Sequence, residues 1–106
     1  MTTCDIDAAH DGTDVVLRLA GEIDLANHDH VAEEVKAAIT NETTSVRVDL
    51  DGITYLDSTG LRFLFALAER LDRMQVDLAI VAPPASIARK VVDVAGLGHV
   101  ASIQDA

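Results

Sequence analysis

The stretch Thr54-Tyr55-Leu56-Asp57-Ser58-Thr59-Gly60-Leu61 is where an alternating, strand-like run ends and a long helical pattern begins. Asp57, Ser58 and Thr59 carry short side chains that accept hydrogen bonds from the free N–H groups of a helix's first turn, so they form the N-cap region of the next helix. Such a position holds the Ser58 hydroxyl at an element boundary. There it is accessible, and the partial positive charge of a helix start tolerates a phosphate placed on it. Read from these residues alone, a capping serine is the more economical account, because caps of this composition begin most helices and few are modified.

Working outward from that turn, the helix runs from Thr59 to about Arg73, and Leu61, Leu64, Phe65, Ala68 and Leu71 fall on one stripe that packs on a sheet. At about 100° per residue, Phe63 falls nearly opposite the centre of that stripe, beside Ala66, Arg70 and the flanking Leu67. An aromatic on the solvent side, one turn from Ser58, reads as an interface anchor, with a scattered surface apolar residue as the plainer alternative.

On either side of this helix, Val46-Arg47-Val48-Asp49-Leu50 and Val76-Asp77-Leu78-Ala79-Ile80-Val81 alternate apolar and polar positions, and Arg18 repeats the theme within Val15-Val16-Leu17-Arg18-Leu19. One face of the sheet therefore meets water. A doubly wound sheet, with helices on both faces, would be apolar at nearly every strand position.

The remaining segments fit one layer pair. Cys4 to Ala8 is a polar edge strand, Asp11-Gly12-Thr13-Asp14 is a turn, and the two strands around it form a hairpin that Gly21 closes. Glu22-Ile23-Asp24-Leu25-Ala26-Asn27 leads into a helix from about residue 28 to 40, with Val31, Val35, Ala38 and Ile39 inward. Asn27 is its expected cap, with Asp29 in its first turn. Pro83-Pro84 ends the fourth strand and starts a helix from about Ala85 to Ala95, with Ile87, Val91 and Val94 inward and Gly96 as its stop; His99 to Ile103 adds a last short strand. The expected fold is α/β: a single domain over residues 1–106, with a mixed β-sheet of four to five strands and helices packed on one face.

Composition narrows the function. A hydrophobic content of 49% with 3% aromatic residues requires a core of Val, Leu, Ile and Ala. Eight Lys plus Arg against 18 Asp plus Glu give a net charge of −10, which repels nucleic acid and anionic membrane and favours a basic protein partner. Cys4 is the only cysteine, the first residues lack the charged and apolar regions of a signal peptide, and no apolar run approaches the roughly 20 residues of a membrane span; a soluble, cytoplasmic protein is expected. His28 and His30, near Asp29 and Glu33, suggest a metal site, but residues two apart on a helix point to different sides, and no metal is expected. No glycine-rich phosphate loop is present and Ser58 lies outside a GxSxG elbow, so neither a cofactor nor catalysis is expected.

Taken together, Asp57-Ser58-Thr59-Gly60-Leu61 after an alternating strand, Gly21-Glu22-Ile23-Asp24-Leu25-Ala26-Asn27 upstream, and Ala95-Gly96-Leu97 near the end resemble the STAS domain of bacterial anti-sigma factor antagonists over nearly the whole chain. The resemblance implies a mixed sheet with helices on one face and a protein–protein switch. The unphosphorylated form would bind an anti-sigma factor, often a serine kinase, and free a sigma factor. Phosphorylation at Ser58 would end binding and a phosphoserine phosphatase would restore it. Both helix-leading elements leave the sheet at strand ends, so Asp24, Asn27 and His28 can lie beside Asp57, Ser58, Thr59, Arg62 and Phe63 as a partner surface, on which the resemblance places Asp24. The first strand is more polar and the C-terminus shorter than the family pattern. Two other classes stand beside this one: a phosphoacceptor domain using Asp49, Asp51 and Asp57, which lacks the expected strand-end lysine, and a STAS-like scaffold or regulatory subunit of a larger stress-signalling assembly.

Overall fold

In the computed structural model, which describes residues 2–105, the alternation seen around Leu17 continues through a ten-residue strand, β2 (Asp14–Ile23). Its odd-numbered residues Val15, Leu17, Leu19 and Ile23 are buried, while Arg18 and Ala20 face solvent. The strand β1 (Cys4–Asp11) pairs antiparallel with β2, extending three residues beyond the expected edge strand. Gly21 does not close the hairpin: β2 runs through it at φ +114, because the Thr3 carbonyl accepts from the Glu22 N–H at 2.9 Å and would lie 2.5 Å from any Cβ at position 21.

Beside β2 lies the parallel strand β3 (Ser45–Leu56). Strict alternation stops at Leu50, yet the strand carries on to Leu56, because its register with β2 shifts twice. Arg18 pairs with Asp49 but Ala20 with Gly52; Gly21 pairs with Ile53 but Glu22 with Tyr55. Each shift puts one extra residue into β3, a β-bulge that bends the strand and re-aims its side chains. The inward set is therefore Val46, Val48, Leu50, Ile53 and Leu56. These two extra residues bring the end of β3 level with the end of β2, where Ile23 faces Leu56.

The sheet is completed by β4 (Asp77–Val81), parallel to β3, and β5 (Ser102–Gln104), parallel to β4, so the spatial order β1-β2-β3-β4-β5 is the chain order. Successive parallel strands that are also neighbours, joined by crossovers of one hand, keep every helix on the same face. The helices α1 (His28–Ala38), α2 (Ser58–Arg73) and α3 (Ile87–Ala95) accordingly share one core with β2, β3 and β4. The expected one-sided mixed sheet is what forms. A short 3-10 turn over Leu97–His99, absent from the sequence reading, precedes β5 and buries Leu97.

Two helix faces differ from expectation. In α3 the inward residues are Ala88 and Val92, while Ile87 is 54% and Val94 91% exposed. Two apolar stripes with helical spacing coexist on this segment, and the one containing the small Ala88 lets α3 lie close against β3. Its start is set by Ser86, whose hydroxyl accepts from the Arg89 N–H at 3.2 Å, and its end by Gly96 at φ 76. In α2 the core stripe is Leu64, Leu67, Ala68 and Leu71, with Leu61, Phe63 and Phe65 half-buried. Phe63 thus does not stand free on the solvent side. The neighbour α1 covers that flank, so Leu67, read as marginal, is buried and Phe63 becomes part of the wall between the two helices.

Candidate partner-binding site

Because Ile23 and Leu56 are the last pair of β2 and β3, the two segments that follow leave the sheet side by side, joined by the Asp57 N–H donating to the Ile23 carbonyl at 3.4 Å. One is the 24–27 loop before α1. The other is the turn into α2 at Asp57.

Asp57 caps α2. Its backbone is extended (φ −96, ψ −173), and its Oδ1 accepts from the N–H groups of Thr59 at 2.9 Å and Gly60 at 3.0 Å. The Asp57 carbonyl accepts the first helical bond from the Leu61 N–H at 2.9 Å. Ser58 is therefore the first helical residue and not the cap, and it is exposed. The capping role that could have accounted for the serine belongs to its neighbour. Asp57→Ala is expected to lower stability by about 1 kcal/mol, with Asp57→Asn close to wild type, because an amide oxygen caps as well as a carboxylate; urea unfolding followed by circular dichroism measures the difference.

The 24–27 loop is built from its own polar side chains. Asn27 does not cap α1, having no hydrogen bond to its first-turn N–H groups. Instead the buried amide accepts from the Asp24 N–H at 3.0 Å and donates to the Glu22 carbonyl at 2.8 Å, closing the loop on the end of β2. The Asp24 carboxylate accepts from the Ala26 N–H at 2.8 Å and from the Thr2 hydroxyl at 2.9 Å. Asn27 shapes the surface from below, and Asp24 presents a carboxylate already engaged on both oxygens. His28 follows, half-buried, with Nδ1 3.4 Å from Asp29, while His30 turns away to Glu34 at 2.8 Å. Among the described residues no three metal-ligating side chains cluster. Cys4 begins the edge strand β1 opposite Gly21, where burial pushes its thiol above the ordinary range against the lowering effect of a hydrogen bond to the Ala20 backbone, with Asp5 and Glu34 adding to the rise.

Thr59, Arg62 and Phe63 face a groove of about 430 Å³ between α1 and α2, which His28 and Leu25 enter from the other side. Of the sequence-derived site residues, His28, Thr59, Arg62 and Phe63 thus meet on one groove wall or its mouth, with Ser58 and Asp57 at the start of α2 and Asp24 and Asn27 in the adjoining loop.

The family profile described as STAS domain matches residues 5–106. The chain belongs to the STAS domain family. A curated relative, the anti-sigma-F factor antagonist RsfB of Mycobacterium tuberculosis, is 31% identical over 90 residues, covering 85% of this chain and 71% of that protein. Among solved structures, an anti-sigma factor antagonist from Mycobacterium paratuberculosis matches with a TM-score of 0.86 at 20% identity, covering 98% of this chain and 87% of the other. The anti-sigma factor antagonist SpoIIAA in its unphosphorylated form matches with a TM-score of 0.73 at 19% identity, covering 96% and 89%. These structural likenesses establish the STAS fold.

This STAS domain also carries features that the sequence reading missed. Leu25 is 75% exposed at the groove mouth, and Lys36, Arg70 and Arg73 line the groove farther along. The signal for the arginines was present: Arg62, Arg70 and Arg73 follow one edge of a helix. What the sequence could not show was that α1 lies against that edge.

Proposed function

We infer that this STAS domain is an anti-sigma factor antagonist. Its unphosphorylated form binds an anti-sigma factor that is itself a serine protein kinase, releasing a sigma factor, and phosphorylation of Ser58 ends the binding until a phosphoserine phosphatase removes the group. The observation that carries this reading is the exposed Ser58 placed immediately after a cap supplied wholly by Asp57. Its hydroxyl is not spent on the helix, and it stands beside the 24–27 loop, so a kinase that docks on these two segments has the acceptor within the docking surface.

The relatives support the same reading, being named anti-sigma factor antagonists in two genera. The proposed contact surface is Asp24, His28, Asp57, Ser58, Thr59, Arg62 and Phe63, with Asn27 holding it in shape. None of these roles requires catalysis by the domain. Incubation with the cognate kinase and ATP is expected to add one phosphate, located on Ser58 by fragmentation mass spectrometry. Modification of Thr54 or Thr59 in its place would overturn the assignment.

A further inference from the structure

The net charge of −10 conceals a local reversal. Four of the chain's eight basic residues, Lys36, Arg62, Arg70 and Arg73, line the groove between α1 and α2, and none of its twelve lining residues is acidic although the chain holds 18 Asp plus Glu. Arg73 is paired with Glu69 at 2.9 Å, whereas Lys36, Arg62 and Arg70 are exposed and make no ion pair among the described residues. Between the cations the wall is apolar, formed by Val35 and Ala32 of α1 and by Phe63 and Leu67 of α2. Cations left unpaired around an apolar trough in so acidic a chain are out of keeping with a merely solvated surface.

We propose that the α1–α2 groove of this domain is a docking site for an acidic amphipathic helix of a partner protein. The geometry sets its form. From Thr59 to Arg73 α2 rises about 21 Å at 1.5 Å per residue, the length of a helix of roughly four turns. Such a helix lays apolar residues at i, i+3/i+4 and i+7 against Ala32, Phe63 and Ala66, over a floor of the buried Val35 and Leu67, the helix-in-groove mode of recognition. Arg62 and Arg70 lie about 12 Å apart along the α2 edge, two turns and a little more, so carboxylates seven or eight residues apart on the incoming helix meet both. Lys36 closes the opposite rim. Within a Debye length of about 8 Å at physiological salt these cations set the field that a docked segment feels, while the charges elsewhere on the domain are screened. The groove shares His28, Thr59, Arg62 and Phe63 with the proposed anti-sigma factor surface and continues it along α2 to Arg70 and Arg73, so the proposal rests on that reading, while the peptide titration reads the groove with no anti-sigma factor present.

The test uses two synthetic 16-residue amphipathic peptides with the same leucine stripe, one flanked by Glu and one by Lys, titrated into the 15N-labelled domain. The acidic peptide is expected to bind at least about tenfold more tightly, with chemical-shift changes centred on Ala32, Val35, Phe63 and Ala66. That order opposes the net charge, which by itself favours the Lys peptide. In a Lys36→Glu/Arg70→Glu variant, whose two positions are exposed and whose melting temperature should hold, the preference is expected to invert. Equal or tighter binding of the Lys peptide to the wild type, or shifts located elsewhere, would overturn the proposal. So would a dimer in sedimentation equilibrium that the double variant dissolves, which would make a second copy the occupant, or flotation with phosphatidylglycerol vesicles lost in the same variant, which would make it a membrane surface.

Discussion

Gly60→Ala is expected to destabilise the domain by about 2 kcal/mol and to lower its melting temperature by roughly 10 °C, the shift that such a loss produces in a domain of this size. The sign is opposite to the ordinary one. An alanine in a helix interior is normally better than glycine by about 0.5–1 kcal/mol, and Gly60 has no left-handed backbone to protect. What decides the outcome is space. A Cβ at position 60 would lie 2.5 Å from Leu56 Cδ1, 2.9 Å from the Ile23 carbonyl oxygen and 3.1 Å from Ile23 Cγ2. Leu56 can turn its side chain aside, but the Ile23 oxygen is backbone at the end of β2, so α2 itself must move. Forcing a methyl into a packed site costs about 1–3 kcal/mol, occasionally more, and exceeds the helix-propensity gain. Gly98→Ala is the control, since a Cβ there meets only Ile103 Cγ1, at 3.6 Å. Equal melting temperatures for the wild type and Gly60→Ala would show that the start of α2 has slack against the strand ends. If α2 shifts, the contact between the Asp57 turn and the 24–27 loop opens with it, and partner binding should fall further than the loss of stability explains.

That glycine illustrates what the sequence shows and what it hides. Strand alternation at Val46–Val48–Leu50 and Val15–Leu17–Leu19 carries the one-sided sheet directly, because period two and burial on one face are the same fact read twice. The helix start at Asp57–Thr59 was legible too, since short acceptors before an apolar helical run have few other uses, but not that Asp57 alone supplies the cap and leaves Ser58 free of it. The failures share a cause. A helical wheel assumes a single packing partner, so it placed Phe63 in solvent and Leu67 at the margin, whereas α1 covers that flank. On α3 two apolar stripes competed, and close approach to β3 selected Ala88 and Val92 over Ile87 and Val94. Asn27 sits where a cap belongs but answers to the loop, because the Glu22 carbonyl and Asp24 N–H are nearer partners than the helix. Net charge is a sum over the whole surface and hid the local clustering of Lys36, Arg62, Arg70 and Arg73 along the α1–α2 groove.

Ser58→Glu, like a phosphate on Ser58, is expected to weaken anti-sigma factor binding at least about 100-fold, or roughly 2.7 kcal/mol, while Ser58→Ala binds within about threefold of wild type. A helix start often absorbs a negative charge, but here the Thr59 and Gly60 N–H groups are already held by Asp57. A second anion at position 58 cannot take them without displacing the cap, and the adjacent carboxylate repels it. It is therefore turned outward, into the surface the partner covers. Arg62, one turn along α2, is a cation within reach of it, and pairing the two draws Arg62 away from the contact surface. Either way a charge is buried at the interface without a partner made for it, a cost of about 2–5 kcal/mol. Stability should hardly change, because Ser58 is exposed, and melting temperatures within about 2 °C would separate lost contact from lost fold. Salt distinguishes the two electrostatic accounts. On a chain already at −10, one or two more charges alter the long-range field little, and at 1 M salt screening shortens to about 3 Å. The ratio of Ser58→Ala to Ser58→Glu affinity in calorimetry should thus stay within about threefold between 0.1 and 1 M salt, as a local unpaired charge requires. Recovery of Ser58→Glu binding at 1 M salt would show that repulsion at a distance, and not the filled contact, is what turns the switch off.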